Sequence, residues 1–300
     1  MKKFKMPKLN PIVKKDLRVI SRSMKIAWGI FAYEGVLAII FLFAMWIIFE
    51  SYNTSYGFTR NYGEFVAMFP ILAAVQFGII ALLMPIMTAT AVSGERERQT
   101  FDILLTTVMT PIAIIRGKVF SAVARVMVFI VASIPLMAVS FTLGGLSWIN
   151  LLITMVAFLI FAILTGSVGI FASTLTTKSI TAIILTYVFY FAIVNTTFIP
   201  ALVITLISTY SGTGGLSVLM LFNPLVTLVE MFVLMLDGDD LFSSNSIGFL
   251  TGWIWVIVSG VVMLLASWLL QRLAARRIDP MNGYLIYKKD KKAKGQGGAG

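Results

Sequence analysis

Glu95, Arg96, Glu97, Arg98 and Asp102 stand in one short run of a 300-residue chain that is only 12% charged. Carboxylates and guanidiniums interleaved in this way serve ion pairing across a surface rather than bond-breaking. Arg98 and Asp102 are four apart and face each other on a helix, and acids early in a helix suit the positive end of its dipole. Phe101, Leu104, Leu105 and Val108 follow at helical spacing. The run therefore reads as a short amphipathic helix over 95–107, acidic at its start and apolar along one face. Thr110 and Pro111 suit the cap and first position of the next helix. By composition alone, such a charge run is a wetted surface.

Other residues with chemistry to offer are few. The chain has no His and no Cys, which excludes His-ligated zinc, H-E-x-x-H proteolysis and Ser–His or Cys–His nucleophile pairs. No G-x-x-x-x-G-K-[ST] occurs. Gly117-Lys118-Val119 lacks both the upstream Gly and the hydroxyl, so no loop cradles nucleotide phosphates. No catalytic residue, metal or cofactor is expected in this chain. Asp237, Asp239 and Asp240 lack the spaced ligands and closing Glu of a calcium loop and read as a hydrated turn. They also lie beyond a span, a poor fit to a paired-aspartate intramembrane protease.

Several polar groups fall inside apolar stretches, where an ionisable residue is costly and needs a reason. Glu34 is either a gate or path residue, or it pairs locally with Arg125 or Lys25. Arg125 itself is expected to reach toward the membrane surface along its aliphatic stem. Glu230 faces either an outer vestibule or solvent. Gln76, Asn195, Thr196 and Thr197 either line a translocation path or hydrogen-bond between helices.

These groups must be positioned by membrane helices. The chain is 59% hydrophobic, with mean hydropathy +0.94, and its apolar runs repeatedly exceed the roughly 18 residues that mark a spanning helix. The expected fold is all-α and integral to the membrane, with six transmembrane helices near 26–49, 65–92, 115–143, 148–175, 180–208 and 247–271. Residues 1–25 carry a cationic stripe and an apolar stripe at helical period, an interfacial helix for anionic lipid. Residues 272–300 form a basic tail. Asn223-Pro224 interrupts the apolar stretch that follows the fifth span. With six spans and both termini cytoplasmic, every Lys and Arg but Arg60 lies on or near the inner side; a seventh span would place the basic tail outside. The segment 212–246 is therefore expected to dip in from the outer face and return as two short helices. The net charge of +11 reflects this orientation and not nucleic-acid binding.

The order of residues in 93–118 resembles the cytosolic coupling segment of the type-2 ATP-binding-cassette (ABC) transporter permeases. That family reads E-R-E-x-G-T-L-E-x-L-L-x-T-P, with a Gly-Lys further on. Glu95, Arg96, Glu97, Thr100, Asp102, Leu104, Leu105, Thr106, Gly117 and Lys118 match it or replace it conservatively, while Gln99 stands for the family's Gly, Phe101 for Leu and Val108 for Pro. The resemblance implies a permease subunit of an exporter, dimeric with a second permease, in the cytoplasmic membrane of a prokaryote. ATP and magnesium would be bound by a separate ATPase subunit. That subunit would press on 95–107, with Glu95 and Glu97 meeting cations of the ATPase or of the N-terminal helix, and with Arg96, Arg98 and Thr100 alongside. Phe101, Leu104 and Leu105 would fill an apolar groove. A cavity made of these side chains suits a hydrophobic or amphipathic cargo, and the resemblance also leaves sodium export open. A membrane anchor or sensor subunit of such a complex, without transport, is the alternative.

Overall fold

The computed structural model describes residues 24–54, 62–100, 110–144, 147–211, 219–236 and 252–278. Among them there is no strand. The helices are α1 (Met24–Thr54), α2 (Met68–Glu97), α3 (Pro111–Ala132), α4 (Ile134–Gly144), α5 (Trp148–Leu175), α6 (Ser179–Ser211), α7 (Pro224–Leu236) and α8 (Gly252–Ile278). Short 3-10 turns, Tyr62–Ala67 and Leu219–Phe222, lead into α2 and α7.

Four helical segments are long and apolar enough to cross a membrane: Ile26–Glu50, Phe65–Glu97, Trp148–Leu175 and Gly252–Ile278. A fifth arises if the bent pair α3–α4 counts as one span. This architecture is compatible with a multi-pass membrane protein. Residues 1–23 of the expected interfacial helix and the tail beyond 278 lie outside the described residues, while Met24 and Lys25 open α1. So do 101–109 of the amphipathic segment, and 212–218 and 237–251 around the interrupted stretch.

Helix α5 is the hub. It packs against α2, α3, α6 and α8, with α2 its most extensive neighbour. Two features of α5 permit that. Gly166 and Gly169 present no side chain to α2, and Phe161 stacks on Phe77 with ring centroids 4.0 Å apart. Lipid tails are as apolar as leucine, so helices in a bilayer associate through close packing and hydrogen bonds instead of water exclusion. Small residues at the crossing supply the closeness. Helix α1 stands at the margin, packed chiefly on α2 and more lightly on α3, and most of its apolar side chains face outward.

Two element boundaries differ from expectation. The stretch 115–143 is not one straight helix; it bends by 43° between α3 and α4. Pro135, in the first turn of α4, has no N–H to offer the carbonyl of Val131, and its ring crowds that turn. Ser133 fills the elbow, its Oγ donating to the Ile130 carbonyl (2.9 Å). Pro85, by contrast, sits inside an unbroken α2. The second difference concerns Glu95, Arg96 and Glu97. They form the last turn of α2 and do not begin a separate helix.

The described cations are unevenly placed. Arg96, Arg98, Arg116, Lys118, Lys178, Arg272, Arg276 and Arg277 gather at the end of the bundle where α2, α5 and α8 finish and α3 and α6 begin, while Lys25 opens α1 and Arg125 lies further along α3.

Candidate functional site

The last turn of α2 reaches three other helices through three consecutive charged residues. Lys118 of α3 donates from Nζ to Glu95 Oε1 at 2.7 Å and also to the Ala91 carbonyl. Arg96 donates from Nη1 to the carbonyls of Thr174 and Thr176, at 3.0 and 3.3 Å. Those oxygens belong to the end of α5, where carbonyls lack intrahelical partners and the dipole is negative. Glu97 Oε2 accepts from the Ser179 amide at 3.0 Å and from Ser179 Oγ at 2.5 Å. A carboxylate thereby sits at the start of α6, where free amides and the positive dipole end favour it. One helical turn, by presenting acid, base, acid in successive directions, secures α3, the end of α5 and the start of α6.

A buried seam continues this junction upward. Ser173 Oγ on α5 accepts from the amides of Val92 and Ser93, at 3.0 and 2.8 Å, and approaches Ser93 Oγ at 3.3 Å. One turn further in, Gly169 lies against Thr88, whose Oγ1 is held by the Met84 carbonyl at 2.7 Å.

Helix α2 ends in a left-handed turn. Gln99 has φ 58°; its amide donates to the Arg96 carbonyl (3.0 Å) and the Thr100 amide donates to the Glu95 carbonyl (2.9 Å). This pair of bonds around a left-handed residue is the Schellman motif, whose special position favours Gly. A Gly at this position, as in the pattern this segment resembles, would have a physical reason. Substituting Gln99→Gly is expected to stabilise the chain by about 1 kcal/mol, since a non-glycine residue is disfavoured by roughly that much in this region. A rise in the thermal midpoint of the purified protein checks it.

The Glu95–Lys118 pair is mostly shielded from solvent, with side-chain exposures of 32% and 12%. Water screens such a pair poorly, and its coupling is expected at about 1–2 kcal/mol, above the usual surface ion pair. A double-mutant cycle of Glu95→Gln and Lys118→Met, read by thermal unfolding, measures it. A coupling near zero contradicts the geometry.

Glu95, Arg96 and Glu97 make contacts within the chain. Thr100 bonds back to the Glu95 carbonyl through Oγ1 (3.3 Å). Arg98 closes the helix, its amide donating to the Gly94 carbonyl (3.1 Å), while its side chain is exposed. Phe101, Asp102, Leu104 and Leu105 lie outside the described residues. A polar hollow of about 870 Å³ opens beside Glu95, Glu97, Arg98 and Ser179.

The polar residues within the spans do not converge. Glu34 is half-buried on α1, and its Oε1 has no hydrogen-bond partner among the described residues; Arg125 extends to Ser121 Oγ at 3.5 Å. Gln76 on α2 is fully buried with neither amide atom bonded among the described residues. Asn195 bonds within its own helix, to the Phe191 carbonyl at 2.8 Å. Glu230 is fully buried on α7 and so faces neither solvent nor an open vestibule in this structure. The side chains of Thr196 and Thr197, and the three aspartates after α7, lie outside the described residues. No cluster of His, Cys, Asp or Glu able to hold a metal occurs among the described residues.

Asn223 is a site residue that residue-type reasoning treated only as a helix breaker. Its Oδ1 accepts from the Leu225 amide (3.0 Å), capping α7, and its Nδ2 donates to the Val194 carbonyl of α6 (3.1 Å). Pro224 takes the first position of α7, as Pro there requires no amide partner. Thr227 and Ser259 then join α7 to α8, their hydroxyls 2.6 Å apart, with Ser259 Oγ donating to the Leu221 carbonyl at 2.8 Å. An Asn-Pro in an apolar run is the available sequence signal; the partners on α6 and α8 had none.

No protein family and no curated protein matches this chain.

Proposed function

We propose that this chain is the permease subunit of an ABC exporter, driven by a separate ATPase subunit that binds ATP and magnesium. The observation that carries the reading is the end of α2. The residue order resembling a coupling segment coincides with a turn whose conformation accounts for the Gly of the related pattern, at Gln99. The same turn fastens α2 to α3, α5 and α6. A push on this end reaches four helices together, as a lever at the membrane face requires.

The one-sided gathering of cations supports placing this end in the cytoplasm, by the positive-inside rule. On this reading the chain has six spans, both termini inside, and resides in the cytoplasmic membrane of a prokaryote. The break at Asn223-Pro224, followed by the short helix α7, fits an outer segment that dips in and returns. Two such permeases with two ATPases would alternate between inward- and outward-open forms, and export a hydrophobic or amphipathic cargo. The two permease states must then differ in their contact energy with the ATPase.

Copurification tests the proposal directly. An ATP-hydrolysing subunit is expected to travel with the chain in detergent, and its turnover to rise when both are reconstituted together. Cytoplasmic reagents should label a cysteine placed at Arg98. Labelling of that cysteine only from outside the cell overturns the reading.

A further inference from the structure

We propose that the groove between α5, α7 and α8 is a binding site for one hydrocarbon chain of a bilayer lipid. The groove holds about 380 Å³, at the low end of the ~300–1,000 Å³ usual for ligand pockets. Its deeper walls are Phe77, Phe161, Leu228 and Met263, all nearly inaccessible.

Its chemistry selects an uncharged, apolar occupant. The lining carries no charged residue, and Thr227 is its one hydroxyl. That hydroxyl is already engaged with Ser259 Oγ (2.6 Å) and the Asn223 carbonyl (3.0 Å). The lining's other polar group is the Trp253 indole N–H, so a charged or strongly polar occupant would lose its water for at most one donor. A saturated chain loses nothing.

The surroundings say where such a chain comes from. The rim residues Val156, Ile257 and Val261 are each at least half exposed, and they sit on α5 and α8, both of membrane-crossing length. The groove is continuous with the faces that these helices turn to hydrocarbon. An α-helix of a second copy, about 10 Å across with its side chains, fills roughly 420 Å³ per turn, more than the groove's 380 Å³. The same size suits one extended chain. The site does not depend on an ATPase partner, so its test stands apart from that of the transport reading.

The experiment uses the full chain in nanodiscs containing a phospholipid with a photoactivatable diazirine near the middle of one acyl chain. After illumination, peptide mass spectrometry locates the adducts. Adducts are expected on the deep residues Met263 and Leu228 as well as on the rim. Gly260 lines the groove, and a Cβ there meets only Ile160 Cδ1, at 3.5 Å. Gly260→Leu should therefore fold and fill the slot. Deep adducts are expected to fall roughly tenfold in that variant, because a filled volume excludes the chain sterically, while rim adducts persist. Val256→Phe, on the same wall, should repeat the effect if Gly260→Leu proves unstable. Adducts confined to the rim in the parent, deep adducts unchanged by both fillings, or crosslinks joining two chains through the groove would each overturn the proposal.

Discussion

Gly169→Ala is expected to unfold the junction of α2 and α5, lowering stability by more than about 3 kcal/mol, beyond the usual range for overpacked cores. A methyl group at this position would lie 2.0 Å from Thr88 Oγ1, 3.0 Å from Thr88 Cβ and 3.4 Å from the Ala89 amide nitrogen. Thr88 cannot turn aside easily. It is fully buried, its hydroxyl is held by the Met84 carbonyl, and a β-branched side chain in a helix has few rotamers. The helices would have to part, and with them the Ser173 bonds to the amides of Val92 and Ser93.

Loss of a monodisperse species in detergent, or a fall in thermal midpoint, measures the effect. Two comparisons isolate its cause. Gly166→Ala places a methyl 2.7 Å from Met84 Cε, the free end of a flexible chain, and should be far milder. Thr88→Ala combined with Gly169→Ala removes the nearest atom and should recover part of the loss. Equal damage from both glycine substitutions, or no rescue, would mean that the contact is not the cause.

Glu97→Lys is expected to reduce export to background while leaving the chain in the membrane. The wild-type carboxylate accepts two bonds from Ser179 at the start of α6. An ammonium can accept neither, and it faces the positive end of that helix dipole with Lys178 and Arg98 nearby. The turn joining α5 to α6 would detach from α2 on that side, leaving Arg96 as its remaining tie. Under the proposed function, a push on the end of α2 then reaches α6 only further along, where Tyr187 Oη donates to the Leu82 carbonyl at 2.7 Å. Glu97→Gln keeps an oxygen acceptor for Ser179 and should retain most activity. Transport and ATP turnover in proteoliposomes, beside a membrane-insertion control, distinguish the cases. Export at the normal rate by Glu97→Lys would remove this residue from the mechanism, and loss in Glu97→Gln as severe as in Glu97→Lys would show that charge, and not the cap on α6, is what matters.

These predictions concern one junction, and its ingredients were unevenly legible. The charge run 95–98 is conspicuous in an apolar chain, and only the resemblance set Gly117-Lys118 beside it. What each charge meets was not legible. Helical spacing pairs residues three or four apart, so Arg98 with Asp102 was the local expectation. Asp102 lies outside the described residues; Glu97 meets Ser179, 82 positions away, and Arg96 meets the end of α5. Pro135 shows the same limit in another form. A proline in an apolar run signals a local defect, yet α2 continues through Pro85, while the pair α3–α4 bends.

Composition and periodicity by themselves determined that this is a chain of long apolar helices without His or Cys chemistry, with its charge concentrated between two of them. Those properties are sums or repeats along the chain, and a bilayer reads them residue by residue. Only the tertiary structure decided that Gly169 must have no side chain, that Glu230 is buried, that Asn223 ties α7 to α6, and that three successive charges at the end of α2 grip three helices. Each of those depends on which surfaces meet. Where hydrophobicity is nearly uniform, hydropathy does not choose among helix faces; close packing and a few buried hydrogen bonds do.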